Sequence, residues 1–250
     1  MVKKIVGTGV LLVLALALQA GVKMYTLKSP DGKVKLEVTA GQGIAYSLFY
    51  DGRLLLKPSR IALHTDLPEA DHWENIRITG TKQRHVSETV QAPFYRVKEF
   101  GIDCNELELR LNNGFSLLMR AYNDGMAYRF VAGRKGEMTV VEERAEFNFA
   151  DDFEAYIPYS TNPKDPWNMA FQNFYTKAPL TQYNTELPAF LPLTVDAGAV
   201  KLTLLESDLE AYPGMFVRGD GKTPALKGVF AAYPQETFKN KWRCQETVKT

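Results

Sequence analysis

From Phe115 to Phe130 the chain reads Phe-Ser-Leu-Leu-Met-Arg-Ala-Tyr-Asn-Asp-Gly-Met-Ala-Tyr-Arg-Phe, two apolar-rich arms around an Asn-Asp-Gly turn signal. These turn residues tolerate positive φ, and Asn and Asp also hydrogen-bond their own backbone, so the stretch is predicted to be a β-hairpin. At period two, Phe115, Leu117, Met119 and Ala121 share one face of the first arm; Ser116, Arg120 and Tyr122 share the other, with Leu118 the exception. The second arm sets Met126, Tyr128 and Phe130 against Ala127, Arg129 and Val131. Arg120 and Arg129 thereby fall on paired strands beside tyrosines. Such a surface either holds a polar ligand or is the solvated face of an antiparallel sheet, whose outer side is ordinarily charged.

The same grammar repeats along the chain. Tyr25–Leu27, Val34–Thr39 and Ile44–Tyr50 are alternating segments separated by Pro30-Asp31-Gly32 and Gly41-Gln42-Gly43, and Asp51-Gly52 turns Tyr50 back into Arg53–Lys57. Glu88–Phe100 and Asn105–Leu111 read as further strands, followed by Val140–Phe149 and Glu154–Tyr159. After an Asn/Pro-rich piece, Asn162–Asn168, strands resume at Leu191–Val195, Val200–Glu206 and Gly228–Tyr233. Only Leu205–Tyr212 and Ala170–Thr176 suggest a helical turn or two. Short strands at regular spacing with Gly and Asp/Asn turns imply packed antiparallel sheets, an all-β chain of one large domain or two smaller units.

Ahead of this region Lys3 and Lys4, the apolar run Ile5–Leu18 and the exit Gln19-Ala20-Gly21 have the form of a secretory signal peptide cleaved after Ala20. The run is shorter than the roughly 20 apolar residues of a membrane span. The expected mature chain, residues 21–250, is a soluble periplasmic or extracellular β-sandwich. The 30 basic and 29 acidic side chains give a formal charge of +1. Such balance supplies no field for nucleic acid, and no basic run marks a membrane surface. Cys104 and Cys244 allow one disulfide in an oxidising compartment without specifying it.

Carboxylates are plentiful. Glu106 and Glu108 share a strand face about 7 Å apart, from two residues of strand rise, and that lies within the separation glycoside hydrolysis uses. Alternating Leu107, Leu109 and Leu111 explain the same pair as the wet side of a half-buried strand. Glu142 and Glu143 are adjacent and point to opposite faces, and Asp151-Asp152 sits at a turn. His64, Asp66, Asp71 and His72 are close enough in sequence for a loop metal site, although a solvated loop is the favoured reading of them. No nucleophile elbow or phosphate loop occurs. For contact with sugar rings the notable aromatics are Trp73, Trp167, Tyr175, Tyr183 and Trp242; Trp167 lies in an exposed loop stiffened by Pro163 and Pro166.

Several segments resemble, in order, the amino-terminal domain of glycoside hydrolase family 97: Lys28-Ser29-Pro30-Asp31-Gly32, Tyr50-Asp51-Gly52 with Lys57-Pro58-Ser59, Asn105-Glu106-Leu107, Tyr122–Phe130, Ala155-Tyr156-Ile157-Pro158 and Glu206–Met215. The resemblance implies a large galactose-mutarotase-like antiparallel β-sandwich, followed in the family by a catalytic (β/α)8 barrel that acts on α-linked oligosaccharides with a calcium ion and barrel carboxylates. The chain stops at Thr250 with no barrel. The expectation is therefore a sandwich without catalysis of its own, which lends a wall to the sugar pocket and contacts carbohydrate through Trp167 and Tyr175, Trp167 also being suited to burial against the barrel. In the family the sandwich supplies one calcium-binding glutamate from a segment ending Tyr-Thr. The matching segment here is Phe171–Thr176, and Gln172 takes the glutamate's place, keeping an oxygen ligand but losing its charge. Two other readings stand beside this one: an autonomous carbohydrate-binding or mutarotase-like module, and a structural envelope protein.

Overall fold

The computed structural model of the chain describes residues 23–167, 172–207, 209–210, 212–232, 236–239 and 246–249. The leader expected over residues 1–20, Trp242 and Cys244 lie outside the described residues. Regular structure among the described residues is antiparallel strand, apart from one 3-10 turn at Leu180–Gln182. The chain divides into two compact units, Met1–Arg53 with Ile61–Val141 and Leu54–Arg60 with Glu142–Thr250. Strand β4 (Arg53–Thr65) therefore contributes residues to both.

Unit one is a two-sheet sandwich. Its first sheet contains the meander β1 (Lys23–Lys28), β2 (Val34–Gly41) and β3 (Gly43–Tyr50). The second has the order β5 (Ile78–Gln91), β6 (Glu99–Leu111), β7 (Phe115–Tyr122) and β8 (Gly125–Ala132). β1 and β2 lie over β6 and β7. The period-two pattern decides which residues meet between them: Leu36, Val38, Ile44 and Tyr46 from one side, Leu107, Leu109, Leu117 and Met119 from the other, all nearly inaccessible. Each such side chain contributes about 1.5–3 kcal/mol on burial. Trp73 belongs to this core and not to a sugar site. Its Nε1–H donates to the Leu63 carbonyl at 3.0 Å, and its ring lies 5.2 Å from Phe130 and 6.0 Å from Phe115.

The hairpin predicted from Phe115 to Phe130 forms, with Tyr122 opposite Gly125, but for a different local reason. Positive φ occurs at Asp51 (47°) and Gly52 (78°) in the β3–β4 turn, and at neither Asn123 nor Asp124. Instead, Asn123 Oδ1 accepts the Asp31 backbone N–H at 3.0 Å, so the hairpin turn is fastened to the β1–β2 turn. A second difference concerns Glu88–Phe100, which is not one strand. Ala92 N–H bonds the Lys98 carbonyl and Tyr95 N–H the Ala92 carbonyl, folding the chain back between β5 and β6; Pro93, lacking an N–H, sits in this turn. The first half of β5 carries no alternating signal because Val86 is the one buried residue in the strand.

Unit two holds the ladder of β9 (Val140–Asn148, from Glu142 onward), β15 (Ala225–Phe230) and β14 (Met215–Gly219), and a four-stranded sheet ordered β11 (Thr176–Pro179), β10 (Glu154–Ile157), β12 (Leu193–Asp196) and β13 (Lys201–Leu204). β16 (Glu236–Lys239) pairs with β17 (Glu246–Lys249). The helical turns suggested at Leu205–Tyr212 and Ala170–Thr176 do not form among the described residues, and Thr176 opens β11. Tyr183 is buried, its hydroxyl donating to the Val217 carbonyl at 2.8 Å, and it is unavailable to a sugar. Its ring fixes the residue at 219 as glycine, since a Cβ there would stand 2.7 Å from Tyr183 Cγ.

Candidate functional site

The carboxylate pair on β6 resolves into two unlike groups. Register places Glu106 between Arg84 on β5 and Arg120 on β7. Arg84 Nε donates to one carboxylate oxygen at 2.6 Å, and Arg120 Nε to the other at 2.8 Å. Glu106 is 4 % exposed, so it is not the wet residue that alternation alone suggests. Burial acts to raise its carboxyl; the bonds and charges of the two arginines outweigh it and hold the group below the usual carboxylate range. A carboxylate so held does not retain a proton to give to a leaving group. Glu108, two residues on, accepts the Ser116 hydroxyl at 3.4 Å.

In unit two, Glu143 and Glu206 make a second acidic pair that the sequence pattern did not single out as a site. Glu143 accepts the Tyr212 hydroxyl at 2.7 Å, and both oxygens of Glu206 accept the Met215 N–H, at 2.8 and 3.0 Å. Burial pushes both carboxyls up, and the charge of Glu143 raises Glu206 further. The findable signal was the run from Glu206 to Met215, where Tyr212, Pro213 and Gly214 bring the chain back to the glutamate. Asp152 is engaged by the Thr181 N–H at 3.0 Å and hydroxyl at 2.6 Å. His64 pairs with Asp71 at 2.7 Å, while Asp66 caps the Thr139 N–H at 2.9 Å. Among the described residues no group of three or more His, Cys, Asp or Glu is placed to hold a metal ion.

Trp167, Gln172 and Tyr175 all fall in unit two, around one framework. Trp167 packs edge-on against Phe216 at 4.9 Å. Val217, the next residue, exchanges backbone hydrogen bonds with Ala189. Phe190 in turn lies 6.5 Å from the Tyr175 ring, and the Tyr175 hydroxyl reaches the Pro192 carbonyl at 3.3 Å. Between the two aromatics, Asn173 anchors the segment by donating to the Tyr159 carbonyl at 2.5 Å. Gln172 is exposed, Tyr175 is 45 % exposed, and Phe174, which the sequence reading passed over, is 99 % exposed. At Gln172–Tyr175 the chain is thus held through Asn173 while Phe174 and Tyr175 face solvent.

A family model described as glycosyl-hydrolase 97 N-terminal matches residues 27–247. A retaining alpha-galactosidase of Bacteroides thetaiotaomicron is 39% identical over 231 residues, which are 90% of this chain and 34% of that protein. Among solved structures, a glycoside hydrolase family 97 enzyme from Pseudoalteromonas sp. strain K8, in complex with acarbose, has a TM-score of 0.68 at 18% identity, covering 82% of this chain and 32% of its own. A beta-arabinopyranosidase structure has a TM-score of 0.71 at 20% identity, covering 83% and 35%. These two show likeness of fold. The chain spans about a third of the length of each of these three relatives.

Proposed function

The chain belongs to glycoside hydrolase family 97, whose amino-terminal domain it matches, and from that premise we propose that it is the non-catalytic β-sandwich of a secreted exo-α-glycosidase. In this reading it contributes to carbohydrate binding and to the wall of a sugar pocket, while hydrolysis belongs to a (β/α)8 barrel. The observation that carries the proposal is the anchored segment Gln172–Tyr175 with its outward aromatics. Burying a side chain such as Phe174 contributes about 1.5–3 kcal/mol, and a nearly fully exposed phenylalanine on a fixed backbone supports cover by another surface. Phe174 meets the barrel, and Tyr175 and Trp167 offer ring faces and a hydroxyl to an α-linked oligosaccharide.

Calcium enters only through that companion domain. The ion takes roughly six to eight oxygens, with carboxylates supplying charge. Gln172 offers one neutral amide oxygen, so this position by itself does not fit a calcium site. Residues 1–20 act in the proposal as the export signal, delivering the protein to the periplasm or beyond.

The test is direct. The purified chain is expected to release no nitrophenol from nitrophenyl α-glucoside or α-galactoside, and calorimetry with maltose and melibiose is expected to show weak binding that Trp167→Ala and Tyr175→Ala abolish. Turnover by the chain alone, or sugar binding indifferent to both substitutions, would overturn the proposal.

A further inference from the structure

One feature of unit one is not used by this role. Glu106 draws two guanidiniums to one carboxylate across three neighbouring strands, so a single anion is shared between two cations, with Glu88 the further acid that acts on Arg84. The two arginines repel each other, and the repulsion is felt at Arg84. Arg84 spends Nε on Glu106, and its side chain remains 54% exposed. The fork is therefore held in place from behind while its outer edge stays open.

Arg84 and Glu106 also belong to the wall of a cavity of about 480 Å³, shared with Thr26, Lys28, Gln83 and Asn105. The wall is fixed by its own hydrogen bonds. Gln83 donates to the Thr26 carbonyl at 3.1 Å, and Asn105 to the Lys28 carbonyl at 2.8 Å. Lys28 is exposed, and its ammonium forms no ion pair among the described residues. A guanidinium oriented by a buried carboxylate, with exposed Lys28 on the same wall and Leu27 and His85 completing it, matches the requirements of an oxyanion: a fork for two oxygens and little ordering cost at the arginine on binding.

We propose that this cavity is an oxyanion subsite that takes the carboxylate or sulfate of an acidic saccharide, with Lys28 and Arg84 binding the anion and Thr26, Gln83 and Asn105 meeting the sugar hydroxyls. The anion chemistry rests on the residues named here; the saccharide rests on the family reading. The assay is calorimetry on the intact chain with five probes: galacturonic acid trisaccharide, galactose 6-sulfate, neutral galactotriose, sodium sulfate and sodium acetate. The charged sugars are expected to bind about tenfold or more tightly than the neutral one, weakening as salt rises from about 20 to about 200 mM. Arg84→Met is expected to remove about tenfold of that affinity and Arg84→Lys to restore part of it, since lysine returns the charge without the fork. Lys28→Met, outside the Glu106 row, keeps the test valid if Arg84→Met disturbs folding. Equal binding of charged and neutral sugars, or no effect of Lys28→Met and Arg84→Lys, refutes the subsite. Free sulfate binding as tightly as the sulfated sugar refutes its saccharide part alone. Loss of maltose or melibiose binding at Trp167 and Tyr175 bears on the proposed function and leaves this subsite standing.

Discussion

Glu106→Gln isolates the ion-pair row. The amide keeps the volume and one acceptor oxygen, but both charge-assisted bonds lose their anion, and two guanidiniums are left facing one another. Breaking a buried pair costs about 3–5 kcal/mol. Arg84 is 54% exposed and Arg120 27%, so water and counterions relieve part of that, and about 2–3 kcal/mol is the expected loss at pH 7. For a chain of this length that corresponds to a fall of roughly 4–12 °C in Tm. The pH dependence is more specific. The folded-state carboxyl lies below its unfolded value near about 4.3, so its contribution is complete above that value and disappears as pH falls through the lower folded one. Thermal melts of wild type and variant from pH 8 to pH 3 are therefore expected to run parallel down to about pH 5 and then converge. A variant within 0.5 kcal/mol of wild type at pH 7, or curves that diverge on acidification, would refute the assignment of Glu106 as a paired anion (about 0.5 kcal/mol being the ordinary range of surface substitutions).

Glu143→Gln tests the opposite sign. Burial raises the Glu143 carboxyl, so its contribution is fully present below the unfolded value and is lost as pH rises through the folded one; the variant, whose amide oxygen still accepts the Tyr212 hydroxyl, is expected to lack that alkaline decline in urea titrations between pH 4 and pH 8. Gly219→Ala forces a methyl to within 2.7 Å of the Tyr183 ring and is expected to cost about 1–3 kcal/mol by urea unfolding. Tyr183→Phe removes the hydroxyl that donates to the Val217 carbonyl, which keeps its bond from the Ala189 N–H, a loss of about 0.5–1.5 kcal/mol by the same measurement. Phe174→Ser is expected to leave Tm within about 1 °C of wild type, because a side chain 99 % exposed in the free chain contributes no burial there.

The sheets were legible because one face of most strands is dry. Phe115, Leu117, Met119 and Ala121 alternate with polar or half-buried neighbours, and all four are buried. β5 was legible only in part, since from Ile78 to Ser87 Val86 alone is buried and there is no apolar period to read. β14 was missed because Met215-Phe216-Val217-Arg218-Gly219 is short and lies between turn signals; its place comes from pairing with Ala189 and β15. The site residues show the same division. That Trp167 belongs near Tyr175 is not a property of either local sequence, since the link runs through Phe216, Val217, Ala189 and Phe190, all contributed by later segments. Trp73 and Tyr183 looked equally suited to a sugar and are core, because an aromatic residue carries no local mark of which side of a sheet edge it will occupy.

The carboxylates show why the proposed division of labour is physically reasonable. Double-displacement hydrolysis needs one carboxyl that keeps its proton and one that stays ionised, both open to the scissile bond and about 5–5.5 Å apart. Glu106 is ionised but closed off by two guanidiniums, whereas Glu143 and Glu206 are both pushed in the protonated direction and already accept bonds from Tyr212 and Met215. Glu106 lies in unit one and Glu143 and Glu206 in unit two, each bonded to the segments that hold it. On this argument Glu143→Gln and Glu206→Gln, made together in a longer protein carrying this sandwich, should alter kcat for an α-galactoside by less than about threefold once Tm is matched. A loss of about a thousandfold with the fold intact, of the order seen when a reacting group is removed, would place chemistry in the sandwich.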